Sequence, residues 1–211
     1  YDEALATFRK ASLLDPLQAQ FTLGVANCLA LLGKLRDAEI QLRKLTDRFP
    51  QNALAWFNLG NVLRDQNRGN EALACYRRTL ELDPRFADAH NNLGDVLHKL
   101  LRFEDAERAY RACLAKTPGH LIVRCNLASV VMDLGRFAEA ETLCREVVAR
   151  APAEALAHTM LGSALAHQGQ NLDALTAFSM AAKLAPTDAK AAQNVATTLA
   201  DNGQLQEAMR W

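Results

Sequence analysis

The chain has 211 residues, with 24 Lys and Arg against 24 Asp and Glu, so its formal net charge is zero. That balance argues against a protein drawn to nucleic acid or anionic membrane by its overall charge. Half of the chain is apolar but only 6% is aromatic, and its five cysteines lack the close pairing of a disulfide framework.

The only six prolines are Pro16, Pro50, Pro84, Pro118, Pro152 and Pro186, each 34 residues from the next. Fixed spacing of this kind marks a repeat array. Further columns align on the same ruler: Ala4, Ala38, Ala72, Ala106, Ala140, Ala174 and Ala208; Val25, Leu59, Leu93, Leu127, Leu161 and Val195; and, just after these, the small residues Ala26, Gly60, Gly94, Ala128, Gly162 and Ala196. Apolar residues three and four apart predict two amphipathic helices in each period. Gly33, Gly135, Gly169 and Gly203 fall in the turn between them, and each proline stands where a second helix has to stop. No stretch alternates with period two for long enough to predict a sheet.

In chain order, residues 1–18 are expected to hold a second helix without its first. Five full periods follow, at 19–52, 53–86, 87–120, 121–154 and 155–188. Residues 189–211 hold a first helix and the start of its partner. Apolar Leu5, Phe8 and Leu14 at one end and Leu205, Met209 and Trp211 at the other lack the polar caps with which solenoids finish. A piece of a longer array is therefore expected, and its open ends favour end-to-end self-association. Two uncharged stretches, 16–33 and 155–172, carry several amides and histidines and lie on the repeat ruler, so buried helices are expected there rather than membrane spans.

The stretch Ala55 to Tyr76, with Trp56, Leu59, Gly60, Ala72 and Tyr76 followed by Pro84, resembles a tetratricopeptide repeat. The resemblance spans the chain, although Thr22, His90, Arg124, His158 and Ala192 stand where Trp56 keeps the family's tryptophan. It implies an all-α fold, a right-handed α–α superhelical solenoid of antiparallel helix pairs whose first helices line a concave groove.

Chemistry-bearing residues are sparse. The cysteine spacings build no zinc site, and four of the five fall in columns expected to be buried, with Cys125 nearer the groove. His90 and His158 are expected to pack with one ring nitrogen satisfied, while His98 and His167 face the groove or its edge. Phosphate-loop and nucleophile-elbow motifs are absent from the sequence. Carboxylates fall in four-residue pairs with arginine, such as Glu104/Arg108, Glu107/Arg111 and Glu141/Arg145, which describes a solvated face. No catalytic residue, metal or cofactor is expected. Five unpaired thiols and no signal segment favour a reducing, cytoplasmic setting.

The informative column reads Gly24, Asn58, Asn92, Asn126, Met160 and Asn194, and one turn later Asn27, Asn61, Asp95, Ser129, Ser163 and Thr197. A carboxamide offers a donor beside an acceptor and can clamp one peptide unit. With first helices about 10 Å apart and an extended chain rising ~3.3 Å per residue, one asparagine meets about every third residue of a ligand. The pattern resembles the asparagine ladder in the tetratricopeptide arm of O-linked N-acetylglucosamine transferases, broken here at Gly24 and Met160. Asparagine at this place also bridges neighbouring helices, so a structural role stays open, as does a folded partner. Asp65, Asp133 and Asp201 recur further along, with Lys99 and His167 between them. The residues preceding the asparagine column (Leu23, Phe57, Asn91, Cys125, Thr159 and Gln193) include no cation, unlike the carboxylate clamp of chaperone-binding members.

The expected function is a noncatalytic scaffold binding an extended segment of another protein. Its groove residues are Asn27, Asn58, Asn61, Asn92, Asp95, Asn126, Ser129 and Asn194, joined by Asp65, Lys99 and Asp133. The alternatives are a substrate-docking arm of a glycosyltransferase-like enzyme and self-assembly through the open ends. Nucleic acid is not an expected partner, because no basic stripe with interleaved aromatics follows the groove.

Overall fold

The computed structural model describes residues 1–15 and 18–210. Pro16, expected to stop the first helix, and Trp211, expected to close the chain on an apolar note, lie outside them. The chain divides into two compact units, Tyr1–Arg102 and Phe103–Trp211. The first holds α1 (Asp2–Leu14), α2 (Ala19–Leu31), α3 (Leu35–Arg48), α4 (Ala53–Asp65), α5 (Gly69–Leu82) and α6 (Ala87–Lys99). The second holds α7 (Phe103–Lys116), α8 (Leu121–Asp133), α9 (Phe137–Arg150), α10 (Ala155–His167), α11 (Asn171–Leu184), α12 (Ala189–Asp201) and the short α13 (Leu205–Ala208). Strands are absent among the described residues.

Within each unit every helix packs on the next in sequence, and first helices also touch one another directly: α2 on α4, α4 on α6, and α8 on α10. The apolar columns are what these contacts bury. Leu29, Leu42, Leu59, Leu63 and Tyr76 are almost fully buried in the first unit, as are Leu127, Val130, Val131, Leu165 and Leu199 in the second.

The turn from first to second helix is built the same way six times. The residue after the first helix and its end cap takes a left-handed conformation: Gly33, Gly135, Gly169 and Gly203 have φ of 73–78°, and Asn67 and Leu101 take 61° and 58°. Two backbone bonds close each turn, as in Lys34 N–H to Leu29 O and Gly33 N–H to Ala30 O, both 2.9 Å. This is the Schellman arrangement, which satisfies carbonyls that the helix end leaves open. Glycine adopts the required backbone without strain and asparagine tolerates it, whereas leucine pays about 1–2 kcal/mol. Leu101 is 73% exposed, so its side chain returns little packing. Leu101→Gly is expected to stabilise the chain by about 0.5–1 kcal/mol, the strain relieved less the added freedom of the unfolded chain. A rise in the urea midpoint reads this directly.

A second recurrent device is the small residue of the first helix under a large one of the second. A Cβ built on Gly60 would stand 2.7 Å from the Tyr76 ring, and one on Gly162 would stand 2.6 Å from the Phe178 ring. Both glycines let two helices approach at the ring's thickness.

Candidate functional site: the first-helix faces

In the first unit the expected groove residues lie on α2, α4 and α6, and they do not behave alike. Asn61 Oδ1 accepts from Tyr76 Oη at 2.9 Å and from Asn92 Nδ2 at 2.8 Å, while Asn92 Oδ1 accepts from Asn91 Nδ2 at 3.1 Å. Asn61 and Asn92 therefore bridge α4 to α6 and tie both to buried Tyr76, whose phenol burial pushes to a higher pKa. Asn58, half-buried on α4, and exposed Asn27 on α2 make no side-chain hydrogen bond among the described residues. Asp65 is exposed and paired with the neighbouring Arg64 at 2.9 Å, Asp95 is half-buried, and Lys99 is exposed. Asn91 Oδ1 is buried without a hydrogen-bond partner.

In the second unit Asn126 and Ser129 sit half-buried on α8, with Asp133 exposed at its end. Asn194, half-buried on α12, lines a hollow of about 360 Å³ between α10, α11 and α12, together with Ser163, His167, Gln193, Thr197 and Asp201 above Phe178. His167 stacks on Phe137, with ring centroids 4.5 Å apart and planes 8° apart.

The column headed by Trp56 turns out to share a bond rather than a residue type. Trp56 Nε1 donates to Pro50 O at 3.0 Å, and Arg124 donates to Pro118 O at 2.7 Å. His90 Nε2 lies 3.3 Å from Pro84 O and His158 Nε2 2.9 Å from Pro152 O. A carbonyl only accepts, so both histidines hold their proton on Nε2. Each bond ties a first helix to the turn before it, and the sequence signal was a donor side chain six residues after a proline. Arg124 also reaches Glu146 at 2.8 Å.

The Cys125 thiol is buried, like the other four. Burial raises the pKa of the Cys125 thiol, and pushes Cys75 to about 11 and Cys144 to about 12, so none of these three is poised as a nucleophile at neutral pH. No group of three or more His, Cys, Asp or Glu able to hold a metal occurs among the described residues. No described helix is long and apolar enough to cross a membrane.

Models described as tetratricopeptide repeat match residues 1–53, 32–69 and 125–189, and another of the same description matches 87–120. A further model, described as TPR repeat, matches residues 60–100. The chain belongs to the tetratricopeptide repeat family. Solved structures of the same fold include YrrB, described as a TPR protein with an unusual peptide-binding site, at 24% identity over 80% of this chain and 87% of that one, with a TM-score of 0.68. PilW, described as a widely conserved type IV pilus biogenesis factor, matches at 20% identity over 92% and 90%, with a TM-score of 0.80. PilF of Pseudomonas aeruginosa matches at 20% over 99% and 89%, with a TM-score of 0.75. A search of curated proteins returned no match. Tetratricopeptide repeat proteins are generally protein-interaction scaffolds, and the fold is typically noncatalytic.

The second helices of these tetratricopeptide repeats carry charge in an order that four-residue spacing alone missed. Glu107–Arg111 and Glu141–Arg145 pair as expected, each at 2.8 Å. Arg108 pairs with Asp105 rather than with Glu104, the acid one turn back on its other side. Pairs also cross between repeats. Arg68 reaches Glu39 at 2.8 Å and Arg43 reaches Glu71 at 3.1 Å, closing a square between α3 and α5. Arg136 with Glu107 and Arg111 with Glu139 repeat that square two repeats later, between α7 and α9.

Burial works against the charged form of Glu39, but hydrogen bonds from Arg68 and Arg43 outweigh it and hold the carboxyl below its usual range. A depressed folded pKa contributes stability above the unfolded carboxylate pKa, and that stability is lost as pH falls through the folded value. Glu39→Gln is therefore expected to cost about 0.5–1 kcal/mol at neutral pH, with the gap closing in acid. Denaturation midpoints of both proteins across pH measure this.

Proposed function

We propose that the chain is a noncatalytic scaffold that holds an extended segment of another protein along the faces of its first helices. The observation carrying this reading is that Asn58 and Asn194 are half-buried carboxamides with no partner among the described residues. Neither amide is among the buried polar atoms left without a partner, so both stay open at the surface and uncommitted, and a peptide backbone offers the acceptor and donor that one carboxamide can take. YrrB, a neighbour of the same fold described as having a peptide-binding site, lends the reading support through the fold alone. Within the first unit Asn27, Asp65, Asp95 and Lys99 would contribute beside Asn58, and within the second Asn126, Ser129 and Asp133 beside Asn194. Asn61 and Asn92 serve chiefly to set the spacing of α4 and α6. Five free, buried thiols support a reducing, cytoplasmic setting.

The double variant Asn58→Ala with Asn194→Ala tests the reading. Two amides, each making two bonds at ~0.5–1.5 kcal/mol, make a loss of at least tenfold in affinity the expected result. Fluorescence anisotropy with a labelled Gly/Ser-rich extended peptide measures it, with helicity and denaturation midpoint unchanged. Equal affinity in the variant would overturn the proposal. Asn92→Ala should behave differently, lowering stability because it cuts the α4–α6 bridge.

A further inference from the structure

The hollow between α10, α11 and α12 has a chemistry of its own. Two of its hydroxyls are already committed: Ser163 donates to Thr159 O at 3.1 Å and Thr198 to Asn194 O at 2.8 Å. The carboxylate of Asp201, the carboxamide of Asn194 and the hydroxyl of Thr197 have no partner among the described residues, and no Lys or Arg lines the hollow. Its apolar surface includes the Phe178 ring, and His167 borders it with one ring face covered by Phe137. An unpaired carboxylate beside flat rings suits a planar cation.

We infer that this hollow receives an arginine side chain of the bound segment, so that the scaffold reads basic segments at this repeat. The inference rests on the groove reading above and adds a side-chain preference to it. Asn194 and Asp201 stand two turns apart on α12, about 10.5 Å along the axis. A backbone held at Asn194 therefore leaves a long side chain, and not a short one, to reach Asp201. Guanidinium meets a carboxylate with two parallel bonds and stacks on rings, whereas an ammonium offers only its charge. A phosphorylated or acidic side chain finds no cation here and meets Asp201 as a like charge.

Labelled Gly/Ser peptides carrying one arginine, one lysine or one citrulline, the neutral shape-mimic of arginine, provide the test by fluorescence anisotropy. The arginine peptide is expected to bind about tenfold more tightly than the citrulline peptide, with lysine between them. Asp201→Asn should erase that preference while leaving the citrulline peptide's affinity unchanged, and Asn194→Ala should weaken all three. Equal binding of arginine and citrulline peptides, or a preference that survives Asp201→Asn, would overturn the arginine site and leave the groove reading standing. Absence of binding by every peptide, up to millimolar concentration, would overturn both.

Discussion

Tyr76→Ala is expected to destabilise the chain by about 3–5 kcal/mol, the range for removing a fully buried aromatic ring. Tyr76 is wholly inaccessible to solvent, lies over Gly60, and meets the Phe57 ring at 6.0 Å with a 50° tilt. Its hydroxyl donates to Asn61, which in turn accepts from Asn92 across the next first helix. Truncation thus removes packing inside one repeat and an anchor between two. Tyr76→Phe separates the contributions. It keeps the ring and deletes one bond, for about 0.5–1.5 kcal/mol. The lower part of that range applies, because Asn61 Oδ1 still accepts from Asn92. Urea denaturation of the two variants decides the matter. If Phe cost as much as Ala, the hydroxyl network and not the ring would be holding the repeat.

Gly162→Ala is expected to cost about 1–3 kcal/mol through overpacking. The new methyl would stand 2.6 Å from the Phe178 ring, against ~3.5–4.0 Å for comfortable carbon contact. Alanine is the better helix former by about 1 kcal/mol, but that gain needs a ring that can retreat. Phe178 cannot do so freely, since Leu161, Leu165, Ala174 and Val195 belong to the same buried cluster. The chain already contains the remedy. Where the small position is alanine, its second-helix counterpart is small or flexible, as with Ala26 and Leu42 or Ala128 and Cys144, whereas Gly60 and Gly162 stand with Tyr76 and Phe178. Gly162→Ala with Phe178→Leu should therefore recover most of the loss. A double-mutant cycle showing simple additivity would mean that the two positions do not share this contact.

Both variants also bear on the proposed binding face. Phe178 lies at the bottom of the hollow that Asn194 and Asp201 line, and Tyr76 holds the Asn61–Asn92 bridge. The polar residues of the proposed binding face on first helices thus pack against aromatic residues on second helices. Loss of an aromatic should weaken peptide capture through the spacing of the helices, even though no ligand contact is removed.

Much of this was legible in the sequence because it is local. Six evenly spaced prolines, the alanine and leucine columns and the turn glycines specify helix length, apolar face and turn within a single period. Backbone geometry over a few residues is enough to read them. Even the departures at Asn67 and Leu101 obey the same turn geometry, held by two backbone bonds, one donated by the residue itself and one by the residue after it.

What only the tertiary structure decided is who bonds to whom across repeats. Asn58 and Asn61 look alike in sequence, one turn apart on the same helix, yet Asn61 is taken up by Tyr76 and Asn92 while Asn58 makes no such bond. Trp56, His90, Arg124 and His158 share a column but not a residue type, and the packed turns show that each reaches a proline carbonyl. The charge squares join residues 28 and 29 positions apart, a spacing that no helical period marks. Periodicity determines which face of a helix is buried, because burial depends only on angle around the axis. Partner choice depends on distances of about 3 Å between different helices, and those exist only once the repeats have packed.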